Sequence, residues 1–391
     1  MIENKNYRSI DFLIEFSRNV HHFEWSDYSY IEGRCRVVKT CRWDAEVLEA
    51  IANERQGLWE NTGRVYLRDG EPFTQYKQQQ LRDLNYKEAM KQMSNAGVQS
   101  AKEIIAYMNN LPVRTFQEMM VNMPKAKAVA LQQEDADNQL DLLRAIQDEY
   151  KPLYAPVKKS VRIYPFSENI CYLQRDIRHA LTKGWTEFDL KSCQLAIASK
   201  LWTIPEVEHY LKEGNSIWKD LFTTFGIELN DKTKEIFKRS LYAMMYGAGQ
   251  KKIKEILSPI GDNSFNRFIS HPIINFMWKA RTEQFSKMSG NGGATDCYGR
   301  FLSLKDFSHR SILAQLAQSM EMLLLADVID LAIQNKSKRT FKIVLWQHDG
   351  FSVQFAQKES KQYWKNMIIS TAQQTIDELG IPTCLEAQDN E

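Results

Sequence analysis

An α+β fold is predicted, on three observations. Most of the chain carries apolar residues spaced three and four apart, the period of an amphipathic helix. The few strand-like segments are scattered between those runs of helix. No fixed-period repeat or low-complexity tract is visible. With 391 residues there is room for two or three lobes or one large multi-lobed enzyme. At 43% hydrophobic and 26% charged residues, the composition excludes a disordered chain.

The elements follow in order. Residues 1–65 are mixed in pattern. From about Gln75 to Tyr150 the chain is mostly helix-forming, with breaks near Gly97 and at Pro112 and Pro124. Ala126 to Tyr150 reads as one long helix. Pro152, Pro156 and Pro165 mark an extended connector. Trp185–Asp189 reads as a strand, and residues 190–257 read as helices. Ser289–Gly293 reads as a flexible loop and His309–Gln334 as a long helix. Phe341–Trp346 and Phe351–Phe355 read as strands flanking His348-Asp349-Gly350, a tight Asp-Gly hairpin turn. A last helix, about Lys358–Leu379, and a short tail close the chain.

Mean hydropathy is −0.47. The longest apolar stretch, Met322–Ala332, is interrupted by Asp327 and Asp330, so no membrane span is expected. The opening MIENKNYRSIDF lacks a basic-then-apolar pattern, so no secretory signal is expected. Cys35 and Cys41 have no second pair with which to build a zinc site, and free thiols in a reducing cytoplasm are expected. The net charge of +2 is unevenly spread. Residues 151–184 and 232–255 each carry seven Lys/Arg against two Asp/Glu, which leaves −8 on the rest. Two basic segments on an acidic body point to an anionic partner at a defined place.

The chemistry-bearing pattern begins with Lys234, Lys238, Tyr242 and Tyr246, each four residues from the next. At about 40° of drift per step, all four lie in one stripe of a helix. A polyphosphate would relieve the repulsion between the lysines, and the rings beyond could face a base or sugar. The same spacing also suits an amphipathic helix with exposed lysines and core tyrosines. Asp189 ends an apolar strand and Asp349 sits at a hairpin tip. Carboxylates gathered from distant strand ends are how folds bind hard cations, although an Asp-Gly pair also suits a plain turn.

Order and spacing add to this. The Asp-ending strand, a Lys-x3-Lys-x3-Tyr-x3-Tyr-Gly helix 45 residues later and a His-Asp hairpin 103 residues beyond its last Tyr resemble motifs A, B and C of family A DNA polymerases. The single-subunit phage and mitochondrial RNA polymerases share that palm. Arg162–Arg178 (RIYPFSENICYLQRDIR) resembles the segment before motif A, and Gly214–Gly226 (GNSIWKDLFTTFG) a stretch of the fingers. Thr295–Leu302 (TDCYGRFL) resembles the T-x-x-G-R-R element, and Arg310–Glu321 (RSILAQLAQSME) the helix whose Gln reads the minor groove. The resemblance covers about 160–355.

The resemblance implies an antiparallel-palm, right-hand polymerase fold. It implies two Mg²⁺ ions, replaceable by Mn²⁺, held by Asp189, Asp349 and the Leu190 carbonyl. Lys238 would hold the triphosphate and act as general acid, and Lys234, where the family usually has Arg, would meet phosphate. Tyr242 would pack on the incoming base and sugar, with Tyr246 by the templating position. Arg162 and Gln318 would probe the minor groove, His348 the primer end, and Arg310 the template or primer backbone. Gln194 replaces the Glu that helps exclude a 2′-hydroxyl, and its amide can both donate to and accept from a hydroxyl. Gly350, Trp218 and Ser319 are further departures.

The implied organisation is an N-terminal region of unknown role at 1–65, thumb at 66–155, palm at 156–202 and 301–391, and fingers at 203–300. Asp11-x3-Glu15 lacks the D-x-E spacing of a proofreading exonuclease, so none is expected. The expected partners are primer-template nucleic acid and dNTPs, with no membrane, for a monomeric phage, plasmid or mobile-element enzyme. The alternatives are an RNA polymerase or primase on the same fold, a non-catalytic nucleic-acid-binding protein, and a His-Asp metal phosphohydrolase.

Overall fold

The computed structural model describes residues 97–390, apart from 158–159, 166–168, 229 and 339, together with 23–25, 41–43, 87 and 91. The expectations for the remainder of 1–96 lie outside the described residues. The chain divides into two compact units, Met1–Leu81 and Arg82–Glu391. In the first, strands β1 (Phe23–Trp25) and β2 (Cys41–Trp43) pair antiparallel, Phe23 opposite Trp43.

From residue 97 on, the second unit contains helices α1 (Gln99–Asn109), α2 (Arg114–Gln117), α3 (Met123–Ala130) and α4 (Ala136–Asp148). Strands β3 (Tyr154–Pro156) and β4 (Ile163–Pro165) form a ribbon, followed by helix α5 (Arg175–Leu181) and strand β5 (Thr186–Leu190). A helical stretch contains α6 (Cys193–Leu201), α7 (Pro205–Lys212), α8 (Ile217–Phe225), α9 (Asp231–Met245), α10 (Gln250–Leu257), α11 (Ser264–Ser270) and α12 (Pro272–Asn291). The hairpin β6 (Gly293–Thr295) and β7 (Phe301–Ser303) leads to α13 (His309–Leu324) and α14 (Ala326–Gln334). Strands β8 (Phe341–Trp346) and β9 (Gly350–Phe355), helix α15 (Lys361–Leu379) and strand β10 (Leu385–Asp389) complete it.

The main sheet is antiparallel, in the order β10-β5-β9-β8. Its interior is aromatic, with Phe188 stacked on Phe351 at 5.1 Å and Phe351 on Trp346 at 5.9 Å. Burying each such ring contributes roughly 1.5–3 kcal/mol. On β8, amide donors are taken up by tyrosine hydroxyls. Ile343 donates to Tyr107 (3.2 Å) and Trp346 to Tyr154 (2.9 Å), so the edge offers fewer open donors to a foreign strand.

Two apolar cores flank a seam. One gathers around the sheet and takes in Ile104, Phe116, Leu143, Ile329 and Ile376. The other is helical, built from Trp202, Phe222, Phe237, Met244, Ile274 and Met277. Helix α6 gives Ala196 and Ile197 to the first core and Leu195 and Ala198 to the second. Helix α13 likewise gives Ala317 and Met320 to the first, Ile312 and Leu313 to the second. These two helices hold the two halves of the unit together.

Several sequence expectations change. Ala126–Tyr150 is two helices rather than one, because Asp135 at the break is tied by Gln139 (3.0 Å) and Gln174, which anchor the turn. The proline connector is extended but paired, as β3 with β4. Ser289–Asn291 are the last turn of α12, which stops at left-handed Gly292 (φ 70°). The helix 309–334 breaks at Leu325. The tail contains β10, an edge strand beside β5. Among the described residues, His309–Gln334 is long and apolar enough to cross a membrane, yet 67% of its most apolar window is buried inside the protein, as suits a core helix.

Candidate active site

Asp189 lies at the end of β5, in register with Gly350 at the start of β9, and the Leu190 amide donates to the Asp349 carbonyl at 3.0 Å. Adjacent strands thus bring the two aspartates together across 160 residues of sequence. The turn carrying Asp349 differs from the predicted one. Its left-handed residue is His348 (φ 77°), while Gly350 is already strand. Gly350 serves close approach: a Cβ there would fall 2.5 Å from the Phe188 carbonyl oxygen and 3.0 Å from Asp189 Oδ1.

The aspartates crowd one another electrically. Limited access of water, then Asp349 and Glu187, push the Asp189 carboxyl up to about 7, although part of its side chain reaches solvent; Lys238 pulls the other way. Burial raises Asp349, against the pull of Arg162 and Lys238. Glu187, two residues earlier on the same face of β5, is held by Arg178 (3.1 Å) and His179 (2.6 Å). After β5, left-handed Ser192 (φ 50°) turns the chain straight into α6 and begins that helix beside the aspartates.

Helix α9 keeps the predicted stripe. Phe237, Leu241, Met244 and Met245 are buried in the helical core. Lys234 and Lys238 are exposed and Tyr242 and Tyr246 half-buried, with Lys238 Nζ 6.0 Å from the centre of the Tyr242 ring. Asn230 caps the start of α9, its Oδ1 accepting from the Thr233 amide at 2.9 Å. At the other end, Arg281 Nη1 donates to the Met244 (3.0 Å) and Ala248 (3.2 Å) carbonyls, placing a cation where a helix terminus is negative. Gly247 (φ 86°) makes the bend after α9, and a Cβ on it would come within 2.6 Å of the Phe285 ring and 3.0 Å of Arg310 Cγ.

A buried polar chain joins these parts. Glu321, on α13, is 1% exposed. Arg162 pairs with it through Nε (2.9 Å) and Nη2 (2.7 Å), and Gln194 Nε2 donates to its Oε1. The Tyr246 hydroxyl donates to Gln194 Oε1. Ser160 links the Arg162 amide (3.0 Å) to Gln318 Oε1 (2.8 Å). His348 packs on Tyr164 at 4.5 Å, and burial with nearby Arg162 lowers its imidazole to about 4.

Of the predicted residues, Asp189, Asp349, Leu190, Lys238, Tyr242, Tyr246, Gln194, Arg162, Gln318 and His348 therefore gather at one seam. Lys234 lies one turn farther along α9. Exposed Arg310 lies by the bend after α9. Gln194 is 5% exposed and both ends of its amide are paired within the protein. Glu321, Arg281 and Cys193 join the seam without having been expected there. Glu321 did carry a signal, a lone carboxylate in the apolar run of α13.

Ligand atoms of Cys193, Glu321 and Asp349 lie within 4.8 Å of one another. Both Glu321 oxygens already accept from Arg162 or Gln194, and burial with carboxylates nearby pushes the Cys193 thiol up. The better fit for a hard divalent cation is Asp189 with Asp349, two carboxylates whose mutual repulsion a cation would relieve.

No family model matches the chain, and no curated protein matches it. Among solved structures, it is similar to the POL domain of Pol1 from M. smegmatis, solved in complex with DNA primer-template and dNTP. The TM-score is 0.53 at 12% identity, over 65% of this chain, and the chain spans only 50% of that neighbour's length. The shared feature is the fold, a mixed helix-and-sheet body with antiparallel sheets similar to a polymerase POL domain.

Proposed function

We propose that the chain is a template-directed DNA polymerase that extends a primer 3′-hydroxyl with dNTPs and does not proofread. The observation that carries this reading is the approach of Asp189, in β5, to Asp349, in the turn that leads into the adjacent strand β9, within electrostatic reach of Lys238 on α9. Asp189, Asp349 and the Leu190 carbonyl would hold two Mg²⁺ or Mn²⁺ ions. When bound, such ions activate a hydroxyl nucleophile and neutralise charge on a leaving phosphate oxygen.

The protein's own groups supply the rest. Lys238 Nζ meets the triphosphate and protonates the departing pyrophosphate oxygen, with Lys234 on outer phosphates. Tyr242 packs against the incoming base and sugar, and Tyr246 stands by the templating position. Arg162, Gln318 and His348 meet the primer end and minor groove, and Arg310 the strand backbone. In this reading residues 203–300 belong to the fingers, residues 156–202 and 301–391, with the main sheet, to the palm, and residues 66–155 to the thumb. The enzyme works as a monomer in the cytoplasm of a prokaryotic or phage-infected cell.

The test is one gel. Labelled primer-template and bare template are each incubated with Mg²⁺ and either dNTPs or rNTPs. Primer extension with dNTPs, lost in Asp189→Asn and Asp349→Asn while duplex affinity persists, is the expected result. Retained extension by Asp349→Asn overturns the assignment, and a preference for rNTPs favours an RNA polymerase or primase. A labelled primer that shortens without dNTPs overturns the absence of proofreading.

A further inference from the structure

Glu321 has no part in the roles above, yet it is the most buried carboxylate of the seam, 1% exposed in an otherwise apolar stretch of α13. An ionised carboxylate only accepts hydrogen bonds, whereas an amide has one end that donates and one that accepts. Glu321 Oε2 accepts from Arg162 Nε and Nη2 at 2.9 and 2.7 Å, and Oε1 accepts from Arg162 Nη2 at 2.7 Å and from Gln194 Nε2. Gln194 must therefore turn its NH₂ group toward Glu321. That leaves its carbonyl oxygen for the Tyr246 hydroxyl, which donates to it. One buried carboxylate thus sets the direction of the whole chain, from Tyr246 to Gln194 to Glu321, with Arg162 donating from the other side.

We propose that Glu321 is a positioning residue for sugar selection, making the nucleotide site one for 2′-deoxynucleotides. The inference rests on the polymerase reading. With Gln194 held between Tyr246 and Glu321, its amide is not free to turn toward a 2′-hydroxyl, and a hydroxyl buried without a partner is disfavoured. An amide in place of the Glu321 carboxylate can donate as well as accept. Gln194 is then free to flip and present its NH₂ group to a ribose hydroxyl. A neutral side chain there also leaves Arg162 without its counter-charge. Glu321 is not a metal ligand here, because its two oxygens are already engaged by Arg162 and Gln194.

The experiment measures single-nucleotide incorporation of dGTP and of GTP, as kcat and KM separately. It compares the unmutated protein, Glu321→Gln, and the exchange variant that combines Gln194→Glu with Glu321→Gln, with folding followed by circular dichroism. Glu321→Gln should lower the dGTP-to-GTP efficiency ratio about tenfold, chiefly by lowering the KM for GTP. The exchange variant keeps one carboxylate and one amide in the chain, with their places swapped. The relocated amide can donate to the relocated carboxylate and accept from Arg162, while that carboxylate still accepts from Tyr246. One Arg162 N–H loses its acceptor, but the chain from Tyr246 through residue 194 to residue 321 stays paired, so this variant should recover most of the ratio. A purely structural role would depress both nucleotides by the same factor and leave the ratio unmoved, which overturns the proposal. If Glu321→Gln does not fold, the exchange variant decides. Failure of that variant to fold or to discriminate overturns the proposal too. Failure of the polymerase reading looks different: the unmutated protein then extends with neither nucleotide, and this proposal falls with it.

Discussion

Gly350 stands directly across from Asp189, so close that a Cβ on residue 350 would lie 2.5 Å from the Phe188 carbonyl oxygen. The contact is with backbone, which cannot rotate away as a flexible side chain would. It explains why residue 350 is a glycine: the two strands meet too tightly to admit a side chain. Gly350→Ala should separate β5 from β9, cost about 1–3 kcal/mol, and lower Tm. A shift near 1 Å between Asp189 and Asp349 should cut the rate of extension about 100-fold. Thermal unfolding and single-turnover extension check this, and an unimpaired alanine variant would refute it.

The stability of the metal-free protein should depend on pH in a set direction. The Asp189 carboxyl is raised from its ordinary 3.8 to about 7, by limited hydration and then by Asp349 and Glu187. The folded state therefore holds this proton more tightly than the unfolded chain. The stabilisation is complete below about 4, declines as pH rises, and is lost through about 7. A divalent cation binds the ionised form, so Mg²⁺ should raise Tm more at pH 8 than at pH 6. Asp189→Asn should flatten both dependences in a melting series.

Lys238 and Lys234 sit on one stripe but at different distances from the aspartates. Lys238 acts on Asp189 and Asp349 electrostatically, whereas Lys234 lies one turn away. Lys238→Ala should slow the single-turnover chemical step by about 10²–10⁴ while leaving primer-template affinity nearly unchanged. Lys234→Ala should act mainly on nucleotide KM. Rapid-quench kinetics with binding measured separately distinguishes the two. Equal effects of both variants would place the triphosphate elsewhere.

Duplex binding should weaken with salt. If the basic stretches 151–184 and 232–255 face nucleic acid, even two phosphate contacts imply about a tenfold loss of affinity between roughly 50 and 200 mM salt. Fluorescence anisotropy across that range is the measurement. A flat response would mean that these charges are solvated surface.

The segments proposed to carry the chemistry were legible because their signals are local. Strand β5 carries Asp189 next to its last residue after alternating burial, α9 repeats every four residues, and the turn holding His348 and Asp349 separates two apolar strands. Each depends on neighbours a few positions away, where the periods of strand and helix apply directly. The boundaries 309–334 and 341–355 came close for the same reason.

Other features depend on partners far away along the chain. Strand β10 has the polar composition of a tail and becomes a strand only because β5 offers it an open edge. His348 takes the left-handed position because Gly350, the residue best suited to it, is needed where β9 meets β5. Glu321 is one carboxylate among apolar neighbours in sequence. Only the approach of α6 and of the segment carrying Arg162 gives it Gln194 and Arg162, more than a hundred residues away along the chain. Local pattern was enough to single out most of the residues that the fold brings together at the seam. Packing set which way their hydrogen bonds run, because donors and acceptors acquire partners only when distant segments meet.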